Sequence, residues 1–206
     1  MRNLPYKITN KRRIVPLRVY SNLNLIVFPE DITNAWWDTV DSITGNANVT
    51  TDPNGNLLAD SLVENSLLAN HRIAKNLGTG FSGTLTLSAY IKNFSGSRKV
   101  QLEMSNFSTD GVSTIFDPLN SATQISSLFA GTDFSVISFG NSIETNGWSR
   151  YWITASKISS GTNLYPQIKF LTAVDANTGT YTGDGTSGIY IWGIKLEQGT
   201  LTNYVG

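Results

Sequence analysis

The sequence predicts an all-β chain folded as a two-sheet antiparallel sandwich, and three observations lead there. Its 206 residues include 18 Gly, together with abundant Ser, Thr and Asn, so turn chemistry recurs at short intervals. Apolar residues alternate with polar ones: between residues 84 and 92, Leu85, Leu87, Ala89 and Ile91 fall on one face, and Thr86, Ser88 and Tyr90 on the other. Helical periodicity is confined to a weak signal over residues 121–130.

Further strands are expected over residues 57–63, 100–104, 112–116, 134–139, 148–155, 167–171 and 189–196, mostly bounded by Gly, Asn, Asp, Ser or Pro. Ser95, Gly96 and Ser97 read as a hairpin loop between Ile91 and Val100. Asp52, Pro53, Asn54 and Gly55 read as a turn in which Pro sets φ and Gly supplies the positive φ. In the last strand Ile189, Ile191 and Gly193 alternate with Tyr190, Trp192 and Ile194. Both faces are apolar, as in a central strand packed on both sides, and Gly193 marks a bulge or a close approach. Eight or more short strands with such connections point to two stacked sheets.

Length fits one domain with a short appendage, and 40% hydrophobic with 11% aromatic residues suffices for a core. The absence of Cys excludes disulfides, thiolate nucleophiles and thiolate metal sites. No apolar run of signal-peptide length follows the N-terminal cations, and no stretch approaches the roughly 20 apolar residues of a membrane span. Neither Sec-type export nor membrane insertion is expected.

The formal net charge is zero but unevenly laid out. Residues 1–20 hold Arg2, Lys7, Lys11, Arg12, Arg13 and Arg18, six of the fifteen basic residues, and none of the fifteen acids. The remainder therefore carries nine cations against fifteen acids. Pro5 and Pro16 oppose helix, and the interleaved aliphatics have no helical period, so residues 1–21 read as an extended arm and 22–206 as the sandwich. Cations mixed with aliphatics suit docking onto an acidic protein partner better than a flexible tail on nucleic acid.

The segment 181–199 (Tyr-Thr-Gly-Asp-Gly-Thr-Ser-Gly-Ile-Tyr-Ile-Trp-Gly-Ile-Lys-Leu-Glu-Gln-Gly), followed by Tyr204, closely resembles the closing segment of a domain common in phage tail-fibre, head-fibre and other virion proteins. Trp37, Pro53-Asn54-Gly55, Leu58-Ala59-Asp60, the run from Leu87 to Lys92, Phe116-Asp117 and the run from Asn146 to Tyr151 match that pattern in order. The resemblance spans roughly residues 22–206; the arm matches nothing comparable. It implies a jelly roll similar to concanavalin-like domains and carbohydrate-binding modules. It also implies a multicopy virion component, a decoration, fibre or adhesion module, that contacts capsid, neck or baseplate proteins and host polysaccharide. A carbohydrate-binding adhesin is the alternative, compatible with the virion role; a glycan-cleaving jelly-roll enzyme is a weaker one.

The residues offer little for catalysis. His71 is the sole histidine, so with no Cys a multi-His or His-Cys metal centre is impossible, and a structural or surface role is expected. Glu103 is the best single carboxylate for glycoside hydrolysis, but no matching second acid is apparent, and a solvated charge is the plainer expectation. Asp184 among glycines is expected to form an Asx turn rather than a calcium loop. No catalytic residue, cofactor or metal is therefore assigned. For a sugar platform, Trp36, Trp152 and Tyr165 are the candidates for exposure, while Trp148, Trp192 and Tyr190 are expected in the core.

Overall fold

The structure, a computed structural model, describes residues 23–108, 110–121, 124–129, 131–172 and 179–205. The arm and its six cations lie outside them. Fourteen strands and one short 3-10 turn, Thr145–Gly147, are formed among the described residues. In chain order the strands are β1 (Thr39–Asp41), β2 (Ile43–Thr50), β3 (Ala59–Glu64), β4 (Leu68–Asn70), β5 (Arg72–Ala74), β6 (Gly83–Ser95), β7 (Lys99–Ser105) and β8 (Gly111–Phe116). They continue as β9 (Gln124–Phe129), β10 (Phe134–Ile143), β11 (Ser149–Lys157), β12 (Tyr165–Leu171), β13 (Thr180–Thr182) and β14 (Gly188–Gln198).

Two six-stranded antiparallel sheets make the sandwich expected from the sequence. Sheet I runs β1-β5-β12-β7-β8-β9 and sheet II runs β10-β11-β6-β14-β3-β2; β4 and β13 pair separately. The core between them takes one alternate face of β6, β7, β8, β11, β12 and β14. Sheet I contributes Ile73, Leu102, Val112, Phe116, Ile168 and Phe170. Sheet II contributes Leu87, Ile91, Tyr151, Ile153, Ile191 and Leu196. Across the gap Phe116 stacks on Tyr151, with centroids 3.6 Å apart and planes 7° from parallel.

The long strands fall where alternation placed them, and two local readings need correction. Within residues 121–130, Gln124–Phe129 is not helical but a strand paired antiparallel with β8, because pairing with a neighbouring strand overrides a weak local pattern. The Ser95-Gly96-Ser97 turn is not a hairpin loop, since β6 belongs to sheet II and β7 to sheet I. The same positive-φ glycine chemistry, Gly96 at φ 71°, here serves an arch between sheets. The turn at Asp52 is as expected: Gly55 N–H donates to Asp52 O at 3.1 Å, and Asp52 Oδ1 accepts from the N–H groups of Asn54 and Asn56.

Strand β14 is central, between β6 and β3, and its register shifts between Trp192 and Lys195. The shift is centred on Gly193, whose φ is 59°. As a result Ile194 joins Ile189, Ile191 and Leu196 in the core instead of sharing the outer face with Trp192. Asn24 fastens the start of the described chain to this bulge: its Nδ2 donates to Ile194 O at 2.9 Å and its Oδ1 accepts from Leu196 N–H at 3.0 Å.

Candidate functional site

The outward faces of the two sheets differ in one respect: the polar groups of sheet I close a network, whereas on sheet II Arg150 and Trp192 each keep a buried donor with no partner among the described residues. On sheet I, Arg72, Gln167, Glu103, Ser105 and Lys169 sit on adjacent strands, pointing away from the core. Arg72 Nε donates to Asp41 Oδ2 at 2.8 Å, and its Nη1 donates to Gln167 Oε1 at 3.4 Å. Gln167 Nε2 donates to Glu103 Oε1 at 2.7 Å and to Ser105 Oγ at 2.8 Å; Lys169 Nζ donates to the other Glu103 oxygen. Gln101 Nε2 donates to Ser113 Oγ at 2.7 Å. Glu103 is therefore no solvated charge. It is 2% exposed, and the partners that make its burial tolerable are an amide and an ammonium. At the margin of this face Tyr165 lies 4.5 Å from Phe107, centroid to centroid, and the Arg72 guanidinium covers the same Phe107 ring at 4.5 Å.

A second closed network holds the glycine-bearing loop before β14. Glu64 accepts both Nε and Nη2 of Arg98, the Tyr181 hydroxyl at 2.5 Å and the Asp184 N–H at 2.7 Å. Asp184 accepts from Thr186 N–H at 2.8 Å, Ser187 N–H at 2.7 Å and the Ser187 hydroxyl at 2.6 Å. This is the Asx turn, and those donors, led by the Ser187 hydroxyl, hold its carboxyl well below the usual carboxylate range. No group of three or more His, Cys, Asp or Glu residues that could hold a metal occurs among the described residues. His71 is 1% exposed; Nδ1 lies 2.8 Å from Ser42 O and Nε2 lies 3.2 Å from Tyr181 O, so the ring ties the link between β1 and β2 to β13.

Sheet II presents a different surface. Pairing places outward-facing residues in lateral rows: Ser142, Arg150, Tyr90 and Trp192 form one, and Gly140, Trp152, Ser88 and Lys195 the next. Trp152 joins neither apolar cluster and is half-buried. Its indole lies across Gly140: a Cβ there would stand 2.3 Å from Cζ2 and 2.9 Å from Cε2. Among the described residues nothing takes its indole N–H. Beside it Arg150 is 5% exposed, donates from Nη2 to Ser88 Oγ at 3.0 Å and has its guanidinium carbon 5.3 Å from the Tyr90 centroid. Two buried donors on the upper row lack any partner among the described residues, Arg150 Nε and Trp192 Nε1. One flank is walled by the C-terminal segment: Tyr204 packs edge-on to Trp192 at 4.8 Å, and its hydroxyl donates to Glu30 at 2.8 Å. Gly193 permits this approach, since a Cβ would meet the Tyr204 ring at 3.2 Å.

The structure thus separates the three aromatic candidates. Trp152 lies on sheet II and Tyr165 on sheet I, so they cannot share one site. Trp36 is wedged in the segment before β1, edge-on to Trp37 at 5.0 Å and to Phe28 at 6.5 Å, with Lys75 Nζ 5.1 Å from its ring centroid. It packs against the core. Trp148 and Trp192 are buried, as expected, in a small outer cluster with Ala59, against which Tyr90, Tyr190 and Tyr204 pack. Sequence reading missed Arg150, Tyr90 and Gly140, because their proximity to Trp152 comes from cross-strand register.

No protein-family profile matches the chain, and no curated protein does. Among solved structures, the chain is similar to the module TmCBM61, described in complex with β-1,4-galactotriose, at 11% identity and TM-score 0.44, covering 86% of this chain and 99% of that one. A Bacteroides thetaiotaomicron protein described as a candidate sugar-binding protein aligns at 12% identity and TM-score 0.39 over 79% of this chain and 84% of its own. The enzymatically active domain of tailspike protein 4 of bacteriophage CBA120 aligns at 11% identity and TM-score 0.44, over 85% of this chain and 21% of that one.

Proposed function

We propose that this chain is a non-catalytic glycan-binding module of a phage virion, with its sugar platform on the outer face of sheet II. The observation that carries the binding role is Trp152 laid across Gly140. An indole supported from beneath by a bare backbone offers a flat apolar face, which suits the apolar face of a pyranose, while Arg150 and Tyr90 supply polar groups beside it. The non-catalytic part is supported by the carboxylates. Glycoside hydrolysis uses two that flank the scissile bond, whereas Glu103 is held by Lys169 and Gln167, and Glu64 and Asp184 both engage Arg98. The virion part is supported by the segment 181–199, and the docking role of the arm by the six cations of residues 1–20.

A shallow platform buries little of its ligand, so affinity per site is weak and rises when copies are clustered. Full-length protein on a glycan array should give signal when multimerised on beads and little as monomer, and Trp152→Ala should erase it. No signal from multimerised protein would remove the binding role. Mass spectrometry of purified particles should find the chain, and the pair Arg12→Glu with Arg13→Glu should deplete it from particles. Its absence from particles, or normal incorporation of the double variant, would remove the virion role or the docking role respectively.

A further inference from the structure

We infer that Arg150 is a carboxylate-binding group and that the glycan taken by the Trp152 platform is acidic, carrying a uronic or sialic-type sugar. The inference rests on the reading of that face as a glycan site. Three cations are buried among the described residues, namely Arg150, Lys157 and Lys195. Lys157 faces Asp133 at 2.9 Å and Lys195 faces Glu197 at 3.0 Å. Arg150 makes no ion pair with a carboxylate among the described residues. Its acceptors are neutral, Ser88 Oγ and the Tyr90 hydroxyl, the Tyr90 ring lies beside it, and among the described residues its buried Nε has no partner.

A guanidinium withdrawn from water and given no counter-ion is costly to bury, and a ligand anion is the partner that offsets the cost. Ser88 and Tyr90 hold the group in place before any ligand arrives, so little ordering remains to be done on binding. Glu144, whose charge also reaches Tyr90, accepts the Ser142 hydroxyl at 2.7 Å and makes no ion pair with Arg150. The chemistry favours a carboxylate, because the planar fork of Arg matches two carboxylate oxygens with parallel hydrogen bonds.

Spacing supports a sugar acid in particular. Arg150 and Trp152 are two residues apart on one strand and on one face, hence about 6.6 Å apart. That separation is comparable to one sugar ring. A pyranose stacked on Trp152 would therefore place its ring substituent over Arg150. The buried Trp192 Nε1, across Tyr90 on the neighbouring strand, is a second donor with no partner in the same row.

The test titrates multimerised full-length protein with oligogalacturonate, oligosialate and alginate oligomers, each paired with its carboxyl-reduced neutral form. At least one acidic glycan should bind ten-fold or more tightly than its reduced counterpart, with the advantage shrinking as salt is raised. Arg150→Met should abolish that difference, so that the acidic glycan and its reduced form bind alike. Arg150→Lys, which keeps the charge and guards against misfolding of the Met variant, should retain only part of it. Equal binding of acidic and reduced glycans by the unmodified protein would overturn the inference and leave the glycan site standing. Failure of folded protein to bind any glycan, neutral or acidic, would overturn both.

Discussion

The indole of Trp152 and the backbone of Gly140, on neighbouring strands of sheet II, are in such close contact that a single methyl group at residue 140 would stand 2.3 Å from Cζ2. Gly140 has no positive φ, so Ala is compatible with its backbone and acts only through this contact. Gly140→Ala should tilt the indole off the sheet. Glycan binding should fall several-fold and tryptophan fluorescence should shift, while stability drops by about 1 kcal/mol, at the low end of overpacking costs, because a half-buried ring can move outward. Unchanged binding together with an unchanged fluorescence spectrum would show that the flat arrangement is not what the ligand reads.

The Asx turn at Asp184 carries a pH signature of defined sign. Its folded-state pKa is lowered from the ordinary 3.8, first by the Ser187 hydroxyl and then by backbone N–H groups. As pH falls, the unfolded chain takes up this proton before the folded one does. The contribution is therefore present above about pH 4 and is lost progressively below it. Asp184→Asn should lower the midpoint of urea unfolding at pH 7 and reduce its decline between pH 5 and 3. A decline identical in the two proteins would assign acid sensitivity to other carboxylates.

Much of this architecture was legible because long strands carry their own alternation. Leu85, Leu87, Ala89 and Ile91 are all 0–1% exposed, and Thr86, Ser88 and Tyr90 line the opposite face, as the pattern states. Strands of three residues, such as Thr39–Asp41 and Arg72–Ala74, are too short to show a period and exist through their partners. The aromatic candidates were legible only in part. Trp152 could be singled out, but nothing local says that position 140 is opposite it, or that Arg150, two residues away, lacks a carboxylate. Those facts depend on registers fixed by the whole sheet. Glu103 was placed on the correct face of its strand, yet its burial follows from Gln167 and Lys169 on β12, more than sixty residues away.

That buried pair makes the last prediction asymmetric. The Glu103 side chain is 3% exposed, whereas Lys169 keeps 17%, so water can partly replace the carboxylate for the ammonium but not the ammonium for the carboxylate. Lys169→Met leaves a buried charge with only the Gln167 amide beside it and should cost on the order of 3 kcal/mol. Glu103→Gln keeps an oxygen for Gln167 Nε2 and lets Lys169 turn to solvent, so its cost should be smaller, about 1–2 kcal/mol. Combining the two removes both charges and should be less destabilising than Lys169→Met alone, a coupling that urea unfolding of the four proteins would measure. Additive losses would mean that the two groups are independently solvated. If Glu103→Gln instead folded normally and abolished a measurable glycan-cleaving activity, Glu103 would be a catalytic acid and the non-catalytic reading of the sandwich would fall.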